Sequence, residues 1–222
     1  MSDALAGRRV LVTAGPTFED LDPVRFLGNR SSGKMGFAIA AAAHRAGAEV
    51  VLVAGPVHLP TPDGVQRIDV RSAAQMHAAV FGALPADVYI GAAAVADFTP
   101  ARIASSKIKK RPGEDGLTLQ LVRTRDILAE VAAATSRPAL VVGFAAETDD
   151  VDDNARGKLA AKRVDLIAAN RVGVSGSGFE SDDNTLLVHD AAGHVQLGPA
   201  SKAEIADRLV ALVAARLAQE PR

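Results

Sequence analysis

Five short runs of apolar and β-branched residues recur along the 222-residue chain: VLVTA (10–14), EVVLVAG (49–55), DVYIGAAAV (87–95), ALVVGFAA (139–146) and DLIAAN (165–170). Ala-rich, helix-forming stretches separate them. The runs do not alternate apolar with polar, so each suits a strand covered on both faces, and strands of that kind belong to parallel sheets with crossover helices. Right-handed crossovers then predict an α/β, Rossmann-like, doubly wound and mostly parallel sheet. Ligands of such sheets lie beyond the carboxyl ends of the strands, which directs attention to the residues after Ala14, Gly55, Val95, Ala146 and Asn170.

Two stretches interrupt the alternation. In the first, about 101–126, KIKKRPGEDG (107–116) holds turn-forming Pro112, Gly113 and Gly116 and precedes LTLQLV (117–122), whose alternation suits a strand with one solvated face. It reads as a β arm outside the main sheet. In the second, a Ser/Gly-rich loop after Arg171 leads into two alternating segments joined at Ala191–Gly193, which predict a C-terminal hairpin. A helix follows, with apolar residues at 205, 209, 212 and 213 that pack it on the sheet. The length is enough for one buried core, so residues 1–222 are expected to form a single domain.

Composition narrows the function. A net charge of −1 with 23% charged residues suits neither a disordered chain nor a basic nucleic-acid surface, so nucleic acid is not an expected partner. The chain has no cysteine, which excludes thiolate catalysis and disulfides and is compatible with a reducing cytoplasm. It shows no secretory leader pattern and no apolar stretch of spanning length, so a cytoplasmic protein without a membrane partner is expected.

Chemistry is expected first at Gly28-Asn29-Arg30-Ser31-Ser32-Gly33-Lys34-Met35-Gly36, between the first strand and a helix from Met35 to Ala46. Such a loop offers backbone N–H groups, hydroxyls and cations at a helix N-terminus, an arrangement that suits phosphate. It is not a Walker A loop, because Met35 follows Gly33-Lys34, and not a G-x-G-x-x-G fingerprint, because residue 31 is Ser. A bare βα turn with no ligand would read the same way. Asp97 ends the AAAVADF run and either meets a cation, a metal-bound nucleotide or a polar substrate, or caps the next segment as a helix N-cap. Lys107, Lys109 and Lys110 form either a solvated basic face or, in an extended segment, a grip for a polyphosphate. Phe144 either stacks on a base or fills the core, and Lys158 and Lys162 share one helix face.

Taken in order, TAGPTFEDLDPVRFLGNRSSGKMG (13–36), LVAGPVHLPTP (52–62), AAAVADF (92–98), KIKK (107–110), VVGFAAET (141–148), DLIAAN (165–170) and FESDDN (179–184) make the chain resemble the synthetase domain of the bacterial phosphopantothenoylcysteine synthetase family, over nearly its whole length. In most bacteria that domain is fused behind a flavin-dependent decarboxylase. The resemblance implies a ligase of coenzyme A biosynthesis. The carboxylate of 4′-phosphopantothenate attacks the α-phosphorus of CTP to give an acyl-cytidylate and pyrophosphate, and the amine of L-cysteine then displaces CMP. Mg²⁺, or Mn²⁺, is the implied counter-ion of the triphosphate, with no ligand residue indicated. A homodimer with the site at or near its interface is also implied.

By the same resemblance, Gly15, Ser31, Ser32, Gly33 and Gly36 face the nucleotide phosphates. Asn29 binds phosphopantothenate and processes the intermediate, donating to the developing oxyanion. Arg25 reaches the neighbouring subunit's phosphopantothenate, and Lys107 lies over the triphosphate. Ala93, Ala94 and Asp97 line substrate and nucleotide, the small alanines leaving backbone accessible. Phe144, Lys158, Lys162 and Asn170 are nucleotide contacts. The chain departs from the family pattern at Thr124-Arg125-Asp126-Ile127, where proline precedes Asp-Ile, and at Phe98, where tyrosine is common. The rival reading is a non-catalytic Rossmann-type nucleotide-binding module. Against a dinucleotide, Ala54-Gly55-Pro56 closes the second strand where a ribose-binding carboxylate would stand.

Overall fold

Six of the strands are parallel, and their order across the sheet is 3-2-1-4-5-6 when they are counted along the chain. The computed structural model describes residues 3–110, 113, 115–147, 151–171 and 183–219. The chain runs β1 (Arg9–Ala14), a short hairpin of β2 (Phe18–Asp20) and β3 (Phe26–Gly28), α1 (Lys34–Arg45), β4 (Glu49–Ala54), β5 (Gln66–Asp69), α2 (Ala73–Ala83), β6 (Val88–Gly91), β7 (Phe98–Pro100), β8 (Leu121–Arg123), α3 (Ile127–Ala132), β9 (Leu140–Glu147), α4 (Val151–Lys162), β10 (Leu166–Arg171), β11 (Asp183–Asp190), β12 (Gly193–Ser201) and α5 (Lys202–Leu217). The main sheet is ordered β12-β11-β10-β9-β6-β1-β4-β5, with β11 and β12 antiparallel at one edge. The chain builds outward from β1 to β5, then returns to lay β6 on the other side of β1. The crevice beyond β1 and β6 is therefore the switch point at which such sheets bind ligands.

The expected double winding is borne out, because successive strand residues enter two separate cores. Val10, Val12, Val50, Leu52 and Ile90 pack with Ile39 and Ala43 of α1 and with Leu209 and Val213 of α5. Leu11, Val51, Val53 and Tyr89 face the opposite way, among Met76 and Val80 of α2 and Val131 of α3. Burial of both sets is complete or nearly so, which is why these strands read as unbroken apolar runs. The hairpin at 191–193 and the final helix form as expected. A reciprocal capping box between Ser201 and Glu204 starts α5.

Three local expectations change. The run from Asp87 to Val95 is a strand only over Val88–Gly91, because the chain then leaves the sheet to lie beside Thr13–Thr17. The alternating 117–122 segment forms a strand only at Leu121–Arg123, paired with β7 outside the main sheet, and its side chains are exposed on both faces. No apolar run announces β5, since Gln66-Arg67-Ile68-Asp69 is an edge strand with Gln66 and Asp69 exposed and Arg67 folded over the Phe37 ring.

One contact sets how close α1 comes to the sheet. Gly36, in its first turn, lies so near the end of β1 that a β-carbon there would stand 2.5 Å from the Ala14 Cβ. Gly36→Ala must therefore push helix from strand. Overpacking of this kind costs about 1–3 kcal/mol, and in a chain this long each kcal/mol moves Tm by about 2–4 °C. A thermal melt should show a loss of several degrees; an unchanged Tm would mean that helix and strand part freely.

Candidate functional site

A cleft of about 830 Å³ opens at the switch point. Its floor is Thr13 and Gly91, one wall is the 29–36 loop with the start of α1, and the other is the 92–98 segment. Phe144–Ala146 at the end of β9, Asn170 at the end of β10, and Lys158 and Lys162 of α4 close it. Twelve of the sequence-nominated residues meet here: Asn29, Ser31, Ser32, Gly33, Gly36, Ala93, Ala94, Asp97, Phe144, Lys158, Lys162 and Asn170. Gly15, Arg25 and Lys107 lie outside the lining.

The start of α1 is built to receive an anion. Gly33 occupies the N-cap with φ 75°, a left-handed conformation that favours glycine, and no side chain caps the helix. No acidic residue stands in the first turn, so the N-terminal N–H groups and the positive end of the helix dipole face the cleft. Around them stand Arg30, Lys34, Arg123, Arg125, Lys158, Lys162 and Lys202, against the carboxylates of Asp97 and Asp126. Several of these cations are already engaged. Lys162 Nζ lies 3.1 Å from Asp126, the N-cap of α3, and Arg125 pairs with Glu130. The balance favours a polyanionic ligand.

The 92–97 segment is held by hydrogen bonds to the 13–17 segment. Ala93 N–H donates to Thr13 Oγ1, Ala94 N–H to the Gly15 carbonyl, and Ala96 N–H to Thr17 Oγ1. The Ala94 carbonyl accepts from Thr17 N–H and from the Asn29 side chain. The N–H groups of Ala93 and Ala94 and the Ala94 carbonyl are thus committed internally rather than open to a ligand, and what the alanines leave is space. Gly15 acts through the same tether. Asn29 Nδ2 donates to the carbonyls of both Ala94 (3.2 Å) and Val95 (3.1 Å). Its Nδ2 is thus turned toward that segment, while Oδ1 remains as an acceptor.

Asp97 is exposed, and a strand rather than a helix follows it, so the N-cap alternative does not hold. Its carboxylate sits at the cleft, while its carbonyl accepts from Thr124 N–H. Phe144 is half-buried, one part packed in the core and one lining the cleft. At the departures from the family pattern, Thr124 Oγ1 donates to the Ala96 carbonyl at 2.6 Å, and Asp126 caps α3. Sequence reasoning gave no individual role to Thr13, Arg30 and Asn184, although each stands in a segment named above, and missed Lys202 as a lining residue. Lys202 carried a signal: a lysine at the first position of a helix opposes the dipole, and here it is 7% exposed.

Arg25 and Lys107 belong to a neighbouring clamp. The Asp22 side chain is fully buried. It accepts from the backbone N–H groups of Val24 (2.8 Å), Arg25 (2.9 Å) and Ile108 (3.0 Å), and from Arg25 Nε and Nη2. Arg25 Nη2 also donates to the Ile108 carbonyl at 2.6 Å. One carboxylate therefore fastens the loop after β2 to the 107–110 segment and fixes the backbone beside the exposed Lys107. Burial pushes the Asp22 carboxyl up, but the Ile108, Arg25 and Val24 donors outweigh it and hold it far below the ordinary carboxylate range.

With the folded pKa depressed, the clamp's contribution to stability is fully present above about pH 4, the ordinary carboxyl value, and is lost only as pH falls toward the folded value. The ¹³C shift of the Asp22 carboxyl should accordingly stay that of an ion down to about pH 3. A midpoint near the ordinary value would show that the Ile108 and Arg25 donors do not hold it.

Comparison with known proteins places this cleft in a family. Residues 5–217 match the family described as the DNA/pantothenate metabolism flavoprotein C-terminal domain. The coenzyme A biosynthesis bifunctional protein CoaBC of Vibrio cholerae is 51% identical over 210 residues, 94% of this chain and 53% of that protein. CoaBC of Bacillus subtilis is 46% identical over 217 residues, 96% of this chain and 53% of that protein. The chain thus spans about half the length of these curated relatives. The crystal structure of the C-terminal domain of a CoaBC protein superposes with a TM-score of 0.83 at 38% identity, covering 99% of this chain and all of that one. A family match over nearly the whole chain, carried on the same fold, shows that the chain belongs to the DNA/pantothenate metabolism flavoprotein C-terminal domain family.

Proposed function

We propose that this chain is a phosphopantothenate–cysteine ligase of coenzyme A biosynthesis, joining 4′-phosphopantothenate to L-cysteine at the expense of CTP. The observation that carries the reading is the uncapped, glycine-entered start of α1 at the β1/β6 switch point, surrounded by an excess of cations. The CoaBC relatives support it, and the CoaBC C-terminal domain matches along its full length. In the parent protein a flavin-dependent decarboxylase domain would occupy the other half.

In this reading the triphosphate lies against the 31–36 loop, where backbone N–H groups and Lys34 meet the charge on its phosphoryl oxygens. Phe144, Lys158, Lys162 and Asn170 hold the rest of the nucleotide. The carboxylate of phosphopantothenate attacks the α-phosphorus, pyrophosphate leaves, and the amine of cysteine then attacks the acyl-cytidylate and expels CMP. Both steps gather negative charge on oxygen, so alignment and preorganised donors do the catalysis. No protein nucleophile is required, and the chain's lack of cysteine is consistent with that. A divalent ion fits the site: Asp97 is an exposed carboxylate at the cleft, and Mg²⁺ is commonly held by one or two carboxylates with substrate phosphates. When bound, it would neutralise part of the triphosphate charge.

The proposed enzyme is a cytoplasmic homodimer. Among the described residues no helix is long and apolar enough to cross a membrane. Val24 and Phe26 of the β2–β3 hairpin, Phe98 of β7, Leu121 and Val122 of β8, and Ile103 and Leu117 between those strands are exposed. Apolar surface at this density suits a second copy of the chain, with Arg25 and Lys107 beside the contact.

Purified protein given Mg²⁺, 4′-phosphopantothenate and CTP should release pyrophosphate and accumulate an acyl-cytidylate, detectable by mass, that is consumed on adding cysteine. A parallel reaction with ATP decides the nucleotide. Asn29→Ala and Lys107→Gln should fold yet lose about 10²-fold or more in turnover, the scale of one lost donor at a developing oxyanion. Folded protein that releases no pyrophosphate with either nucleotide would overturn the ligase reading in favour of a binding module. Sedimentation should give the mass of two chains, and a monomer would remove the interface.

A further inference from the structure

Far from the clamp, three side chains converge where α4 crosses the C-terminal hairpin. His189 of β11 and His194 of β12 are directly opposed in register, with ring centroids 5.0 Å apart. Asp152 comes from the first turn of α4. Its Oδ1 lies 3.2 Å from His189 Nε2 and 3.6 Å from His194 Nδ1, and none of the three atoms is more than 4.8 Å from another.

What separates this cluster from an ordinary ion pair is that two of its atoms are buried without hydrogen bonds. The His189 side chain is only 1% exposed, and its Nε2 has no hydrogen-bond partner despite the short approach of Asp152. Asp152 Oδ1 is likewise buried and unsatisfied, although that side chain is about half exposed. Leaving a buried donor or acceptor unpaired costs about 1–3 kcal/mol, so two such atoms 3.2 Å apart call for a shared acceptor of electron pairs.

We infer that Asp152, His189 and His194 form a binding site for a divalent transition metal of the zinc class, which pins the first turn of α4 to the C-terminal hairpin. Two imidazole nitrogens with one carboxylate oxygen suit zinc and its neighbours rather than magnesium or calcium, which prefer all-oxygen shells. Donors about 2.0–2.1 Å from zinc in a tetrahedron stand about 3.3 Å apart, close to the two distances measured from Asp152. His194, 40% exposed, has room to turn inward, and a water would take the fourth position. Arg156, one turn along α4, opposes the metal's charge at His189, and Asp190 offsets it. The same helix carries Lys158 and Lys162 into the cleft, so the metal would hold their scaffold in place.

The test is equilibrium dialysis of the untagged, chelator-stripped chain against Zn²⁺ without nucleotide, with Co²⁺ as a spectroscopic substitute. One equivalent of zinc should bind in the presence of millimolar Mg²⁺, and zinc should raise Tm by mass action. Asp152→Asn and His194→Ala alter solvent-facing side chains and should fold, each weakening zinc uptake at least tenfold and abolishing the Tm shift. Asp97→Asn should keep full zinc uptake, separating this site from the cleft. His189→Ala removes a buried ring, so its result is read only beside circular dichroism. Folded wild-type protein that takes up no stoichiometric zinc, or uptake unchanged in both solvent-facing variants, would leave a bare ion pair and overturn the inference.

Discussion

The close seating of α1 on the end of β1 is the constraint on which the cleft depends. Gly36 lets the helix approach Ala14 to a distance that no β-carbon would tolerate, and Gly33 turns the chain into the helix through a left-handed residue. Because the helix begins there, its first-turn N–H groups end at the switch point between β1 and β6. A helix lifted off the strand would carry the 29–33 loop away with it, and with that loop the side chains of Asn29, Ser31 and Ser32.

The remaining walls are held by polar ties as well as by apolar packing. The 92–97 segment spends its backbone on Thr13, Gly15 and Thr17, which makes it a rigid shelf, and Asn29 bridges that shelf to the anion loop. Asp22 does the corresponding work outside the cleft, drawing the Arg25 loop and the Ile108 backbone onto one buried carboxylate. The β2–β3 hairpin that carries these residues is anchored in turn. Arg71 pairs with Asp20 and lies over the Phe18 and Phe26 rings, and buried Glu19 accepts from Ala73 N–H at the start of α2. These ties place the proposed reactive groups on supports whose geometry binding need not first create.

The strands of the sheet were legible because burial on both faces leaves unbroken apolar runs, as in Val10–Ala14 and Val50–Ala54. The edge strand β5 was not, since a strand with one wet side carries arginine and aspartate. The Leu117–Val122 arm was misread locally for a related reason: whether an alternating segment has a covered face depends on what packs against it. In the site, residues within a motif such as Ser31–Gly36 were found. Lys202, brought to the cleft by the C-terminal helix, lies outside every motif, and Asn184 ends FESDDN (179–184), a motif that by itself gives it no role.

By itself the sequence determined the doubly wound sheet, the strand ends where a ligand belongs, and the glycine-bearing loop that meets it, because each follows from local periodicity and from what glycine permits in the backbone. Only the tertiary structure decided the rest: that the Asn29 amide ties to a neighbouring loop, that Arg25 and the Ile108 backbone beside Lys107 meet at Asp22 instead of in the cleft, and that His189, His194 and Asp152 converge. Those are encounters between segments up to 86 residues apart, set by how helices and hairpins seat on the sheet, and no local pattern of residue types encodes such distances.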